Sequence, residues 1–117
     1  MATYTKQILS GSTDGAGVKV AALTNPGTVI HTAAASATTA PIDELHLWAT
    51  AYNSARTLTV QFAGTATDDY DITKIIDPDD GLFPLVPGLL IKNAKVVRAF
   101  ADATGVVIYG FANRISP

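Results

Sequence analysis

The sequence predicts an all-β, single-domain fold, an antiparallel sandwich or jelly-roll-like barrel, and three observations predict it. The first is composition. Ala (19) and Thr (15) supply 34 of the 117 residues, while Glu occurs once, at Glu44. Helical surfaces draw on Glu, Lys, Gln and Arg, whereas strand surfaces favour Thr and other β-branched residues. The second is period: the clearest patterned stretches alternate at a spacing of two, and no useful window repeats at the helical spacing. The third is punctuation, because Gly and Pro divide the chain into short runs, as at Asn25-Pro26-Gly27 and Pro87-Gly88. About seven or eight short strands so spaced fit a sandwich or small barrel. A chain of 117 residues is one domain, 1–117, with residues 1–17 as an arm or extended segment. It is long enough to bury a core without a disulfide or metal staple.

Thr3 to Leu9 reads as the first strand, closed by the glycine-rich Gly11-to-Gly17 loop. Residues 18–23 form a short second strand, stopped at Asn25-Pro26-Gly27, where Pro fixes φ and Gly accepts a positive φ. Thr28 to Thr32 is the third, and the low-complexity run 33–40 reads as an irregular connection. From Ile42 to Asn53, alternation places Leu45, Leu47, Ala49 and Ala51 on one face and His46, Trp48, Thr50 and Tyr52 on the other. After Asn53-Ser54-Ala55-Arg56, the run Thr57 to Phe62 alternates again with Leu58, Val60 and Phe62 inward. Two such runs across four polar residues predict an antiparallel hairpin.

Residues 64–81 are polar and acidic around an apolar piece, Ile72 to Ile76. Leu82 to Leu90 is apolar but holds Pro84 and Pro87; Pro has no ladder donor, so this piece belongs at a sheet edge or in a wrapping loop. Lys95 to Ala101 and Val106 to Ile115 are strong strands. The connection Asp102-Ala103-Thr104-Gly105 suits a second hairpin, with Gly105 available for a positive φ. These last strands are apolar on both sides: Val97, Ala99 and Ala101 against Val96 and Phe100, then Val106, Ile108 and Ala112 against Val107, Tyr109 and Phe111. A half-exposed sheet carries a polar outer face, so the second face here expects a cover, either a loop such as 82–91 or another subunit.

Bulk properties exclude several classes. The net charge is -2, and the eight Lys and Arg are spread singly from Lys6 to Arg114, with no basic stripe for nucleic acid. The absence of cysteine removes thiolate zinc sites, Cys nucleophiles and disulfides together. No apolar run approaches the length of a membrane span, and the N-terminus lacks the pattern of a signal peptide. The product is therefore expected to stay in the cytoplasm of the cell that makes it until lysis or assembly.

Candidate chemistry is sparse. Six of the ten acids, Asp68, Asp69, Asp71, Asp77, Asp79 and Asp80, lie within thirteen residues. Asp77-Pro78-Asp79-Asp80-Gly81 has a faint likeness to a calcium loop, but its acids are mis-spaced and no Glu closes it, so a solvated turn is the better reading. His31 and His46 lie fifteen residues apart on different strands and form no ligand pair; they read as partly buried strand histidines bonded to backbone or a Thr hydroxyl. No Gly-x-Ser-x-Gly elbow, paired carboxylates across a cleft, or phosphate loop occurs. We therefore expect no enzyme activity, no catalytic or metal residues and no cofactor. The residues best suited to binding are Trp48 and Tyr52 with His46 on one strand face, then Arg98 and Phe100. The plainer account is that this face is a second buried layer.

The stretch Gly88-Leu89-Leu90-Ile91-Lys92-Asn93-Ala94-Lys95-Val96-Val97-Arg98-Ala99-Phe100-Ala101, followed by Val107 to Ile115, resembles the ending of small virion proteins of tailed bacteriophages. The piece Leu58 to Thr65 has the same character. The likeness covers residues 45–117 and lies in general pattern, without a diagnostic motif. Within that group the chain is similar to capsid decoration, or cement, proteins. The resemblance implies a non-enzymatic structural protein on the capsid surface of the virion. It also implies a homo-oligomer, with a trimer favoured, bound to the major capsid protein, with no nucleic acid or membrane partner. A head–tail connector or tail component is the alternative within the virion. A carbohydrate-binding β module using the aromatic face is the alternative outside it.

Overall fold

A computed structural model of the chain describes residues 3–66 and 70–116, and all regular structure among them is strand. The nine strands are β1 (Thr3–Ile8), β2 (Val18–Lys19), β3 (Thr28–Thr32), β4 (Ile42–Ala51), β5 (Arg56–Phe62), β6 (Asp71–Ile76), β7 (Phe83–Lys92), β8 (Val96–Ala101) and β9 (Val106–Ser116). They form two antiparallel sheets that pack face to face as a sandwich. The larger has the order β1-β9-β4-β7, with β2 beside β1 on β9; the smaller has the order β3-β8-β5-β6. Leaving aside the two-residue β2, this is the strand order of a jelly roll, in which successive strands swap sheets.

Alternation sets the core. In β4 every odd residue from Asp43 to Ala51 is buried and every even one is only partly so. Leu45, Leu47 and Ala49 face Leu58 and Val60 of β5 and Val97, Ala99 and Ala101 of β8, all completely enclosed. Six of the nineteen alanines serve this interior, where small side chains opposite Leu and Ile let the two layers interdigitate. The thread of Thr through β5 and β6 points to the outer side instead, exposed at Thr57 and Thr73 and buried at Thr59.

Neither expected hairpin forms. β4 lies in the larger sheet and β5 in the smaller; β8 and β9 are divided in the same way. Alternation reports which side chains point inward, and that set is identical whether two runs lie side by side or face each other across the core. Here each connection is an arch, and the two arches bond to each other. Tyr52 N–H donates to Gly105 C=O (3.0 Å), Arg56 Nε to Thr104 C=O (2.8 Å), and Asp102 N–H to Thr57 C=O (3.1 Å). Bonds that a hairpin would make within one run are made between the two runs, because β4 pairs β9 and β5 pairs β8. Gly105 does adopt a positive φ (117°), as does Asn53 (73°) in the companion arch. Among strands longer than two residues, only β5 and β6 are both consecutive and paired.

The proline-bearing segment is the outer strand β7, as its missing donors require. Its register against β4 shifts twice, beside Pro84 and beside Pro87. It forms an edge and covers no sheet face, so the loop expected over the second face is a different one. That cover is the segment before β3. Gly27 N–H donates to Gln61 Oε1 (2.8 Å), Asn25 Nδ2 to Thr65 C=O (2.7 Å), and Arg98 Nη1 to Gly27 C=O (3.3 Å). These bonds seal one end of the smaller sheet's outer face and fully bury Gln61 with its amide satisfied.

Candidate functional site

Among the described residues, the larger sheet has an outer face that is partly buried along β4 and β9 and open at its β1 and β7 sides, with Gly17 packed against Val107 and Tyr109. Its residues follow from the register. Ile42, Glu44, His46, Trp48 and Thr50 of β4 lie opposite Ile115, Asn113, Phe111, Tyr109 and Val107 of β9. Tyr4, Lys6 and Ile8 of β1 continue the first three of these rows, and Leu90 of β7 extends the row of Glu44. Tyr4 (65%), Leu90 (59%) and Ile8 (55%) are among the most exposed large apolar side chains described. The face is therefore largely apolar and aromatic across four strands, with Lys6, Glu44, His46 and Asn113 as a polar band inside it and Lys92 and Thr50 at its ends.

Three rings form its centre. His46 stacks on Phe111 with centroids 4.8 Å apart and planes 15° apart, and Trp48 lies 6.1 Å from Phe111 at 27°. Glu44 Oε1 fixes the His46 ring at 2.7 Å, and Lys6 Nζ sits 5.3 Å from the Phe111 centroid. Rings packed in this way occupy one another's faces. A sugar platform needs a free face, whereas a protein surface accepts the edges as well.

Of the binding residues expected from the sequence, His46 and Trp48 share this face. Tyr52 lies past the end of β4 in the arch, where it is exposed. It borders an apolar cleft of about 260 Å³ with Lys19, Val20, Val106 and Val107, smaller than the roughly 300–1,000 Å³ of ligand pockets. Arg98 and Phe100 stand on the outer face of the smaller sheet, on the opposite side of the molecule. The five do not make one site. Tyr4, Ile8, Leu90, Tyr109 and Phe111 belong with Trp48 instead, and only sheet order brings them there.

A second cluster lies inside. Asp43, fully enclosed, accepts two hydrogen bonds from Arg114 (Nε 2.8 Å, Nη2 3.1 Å), one from His31 Nε2 (2.8 Å) and one from Ala34 N–H (3.3 Å). Burial pushes this carboxyl up, but the hydrogen bonds from Arg114 and His31, with the guanidinium charge and the Ala34 N–H, outweigh it and hold the group below its ordinary value. The Asp43 hydrogen bond raises Arg114 against the opposing effect of burial. Ser10 N–H donates to His31 Nδ1 (3.0 Å), so Nε2 carries the proton given to Asp43.

Ser, His and Asp thus meet, but the Ser10 hydroxyl accepts from Thr32 N–H (2.6 Å) and does not touch the ring. The arrangement is a clamp joining β3 in one sheet to β4 and β9 in the other. His31 is more deeply buried than expected and is bonded to a carboxylate as well as to backbone. Of the acidic stretch, Asp68 and Asp69 lie outside the described residues. Asp77, Asp79 and Asp80 are exposed, and among the described residues no three metal-ligating side chains converge.

No family model, curated protein or solved structure matches the chain. The jelly-roll order thus describes an architecture, and architectures of this kind serve many functions. Any functional reading has to come from the surface.

Proposed function

We propose that this protein works by association, as a structural component of a tailed-phage particle that binds and stabilises the capsid shell. The observation that carries the reading is the outer face of the larger sheet, apolar among the described residues from exposed Tyr4 and Ile8 through Phe111 and Trp48 to exposed Leu90. Contiguous apolar patches of this kind are uncommon on solitary soluble domains and mark interaction surfaces. Aromatic residues at the centre with charged groups between them match the make-up of protein–protein contacts. The resemblance of residues 45–117 to phage virion proteins supports the shell as the partner. The mutual stacking of His46, Trp48 and Phe111 favours a protein partner over a carbohydrate.

Sedimentation with purified capsids lacking the protein tests this. The expected result is saturable co-sedimentation at physiological salt and slower loss of packaged DNA on heating. Binding to isolated tails but not to capsids would move the protein to the connector or tail. A folded chain that pellets with neither would overturn the reading.

A further inference from the structure

The outer strands differ in how their edges are guarded. β7 carries Pro84 and Pro87 and two register shifts, β3 has a shift between Val29 and His31, and β6 bears Asp71 and Lys74. Such devices block the pairing of one sheet edge with another. β1 has no proline and no register shift, and only a single lysine. Its six residues, Thr-Tyr-Thr-Lys-Gln-Ile, pair with β9 in unbroken register, and Lys6 is its one charge. Its other side meets no strand among the described residues. All but Gln7 are exposed, on both faces, so the smaller sheet does not reach beneath it and leaves room for close approach.

We propose that β1 pairs antiparallel with β1 of a second copy, about a two-fold axis through Thr5. This inference rests on the association proposed above, takes up the homo-oligomer that the resemblance implies, and names the contact. A two-fold that continues the sheet keeps outer residues opposite outer residues, so the axis must pass through a residue of the strand. At Lys6 it would set one ammonium against the other. At Tyr4 it would engage only Thr3 to Thr5 among the described residues.

At Thr5 it sets Tyr4 opposite Lys6, Thr3 opposite Gln7, and Thr5 opposite its own copy. Threonine–threonine pairs are favourable cross-strand neighbours, and a cation opposite an aromatic ring is well placed. The pairing also joins the two outer faces, because Tyr4 and Ile8 lie on the same side as Phe111 and Trp48. A contact of this symmetry closes as a dimer, in place of the trimer that the family resemblance implies.

The absence of native cysteine makes the test direct. Opposed Cα atoms in an antiparallel pair lie about 4.5–5.5 Å apart, within the span a disulfide bridges. The full chain carrying Thr5→Cys is expected to give a disulfide-linked dimer under mild oxidation. Thr3→Cys, equally exposed but roughly 13 Å from its own counterpart along the strand, is expected to stay monomeric on the same gel. Thr5→Lys should abolish the dimer in light scattering with the unfolding midpoint unchanged.

Equal cross-linking at both positions, or at neither, overturns the β1 contact. If the wild-type chain still self-associates in that case, the association reading survives without it. If the chain is monomeric at every concentration, self-association fails as well.

Discussion

The Asp43 carboxylate is completely enclosed yet remains the charged form, because four donors converge on it. Arg114→Met removes two of them and leaves a buried anion short of partners. A loss of about 3 kcal/mol is expected, the low end for breaking a buried pair because the guanidinium is partly exposed, read from urea unfolding. The sign of the pH effect follows from the depressed value. The unfolded chain takes up a proton near the ordinary 3.8 and the folded chain only below it. This contribution is therefore complete above about pH 4 and declines as pH falls through the folded value. Asp43→Asn should lose that part of the acid dependence while costing stability at neutral pH, measured by denaturation at several pH values. The cluster was partly legible. Asp43 shares parity with Leu45 and Leu47, so the alternation carried one step further back than Leu45 points to a carboxylate on the core face, where only a paired charge survives. Its partners, seventy-one residues ahead and twelve behind, were not legible, because sheet order decides them.

At the scale of elements, strands were readable where a side chain's period is set by burial, and their pairing was not. β4, β5, β8 and β9 appear where alternation put them, yet β4 pairs with β9 across the sheet and β5 with β8. The Pro rule did carry pairing information, because a residue without an N–H cannot occupy a central strand, and β7 is an edge. The prolines also act against aggregation. The double variant Pro84→Thr, Pro87→Thr restores two donors to an edge already bearing exposed Leu89 and Leu90. We expect a folded protein that forms higher-order species at concentrations where the wild type does not, followed by light scattering and thioflavin binding. A variant as soluble as the wild type would mean that the register shifts alone protect the edge.

For the whole molecule the decisive contrast is between its two outer faces. The smaller sheet presents Thr57 and Thr73 beside Ile75, Val29 and Phe100, with Gln61 sealed under its own loop; among the described residues the larger presents a broader field of rings and aliphatic side chains. Of the covers expected for a second apolar layer, a loop closes one end of the smaller sheet's outer face, and it is the segment before β3 and not 82–91. The sequence could not separate the two faces, since Phe100 and Phe111 carry the same pattern and differ in which sheet their strands join. The contrast predicts a one-sided effect of surface charge. Leu90→Lys combined with Tyr109→Thr changes exposed positions on the larger sheet and should leave the unfolding free energy within about 1 kcal/mol of wild type. Capsid co-sedimentation should weaken tenfold or more, roughly what losing one or two central apolar contacts costs. Ile75→Lys places the same charge on an equally exposed aliphatic position of the smaller sheet and should bind as wild type does. Should Ile75→Lys be the variant that fails, the docking face is the threonine-rich one, and the apolar sheet must be covered by a second copy of the chain.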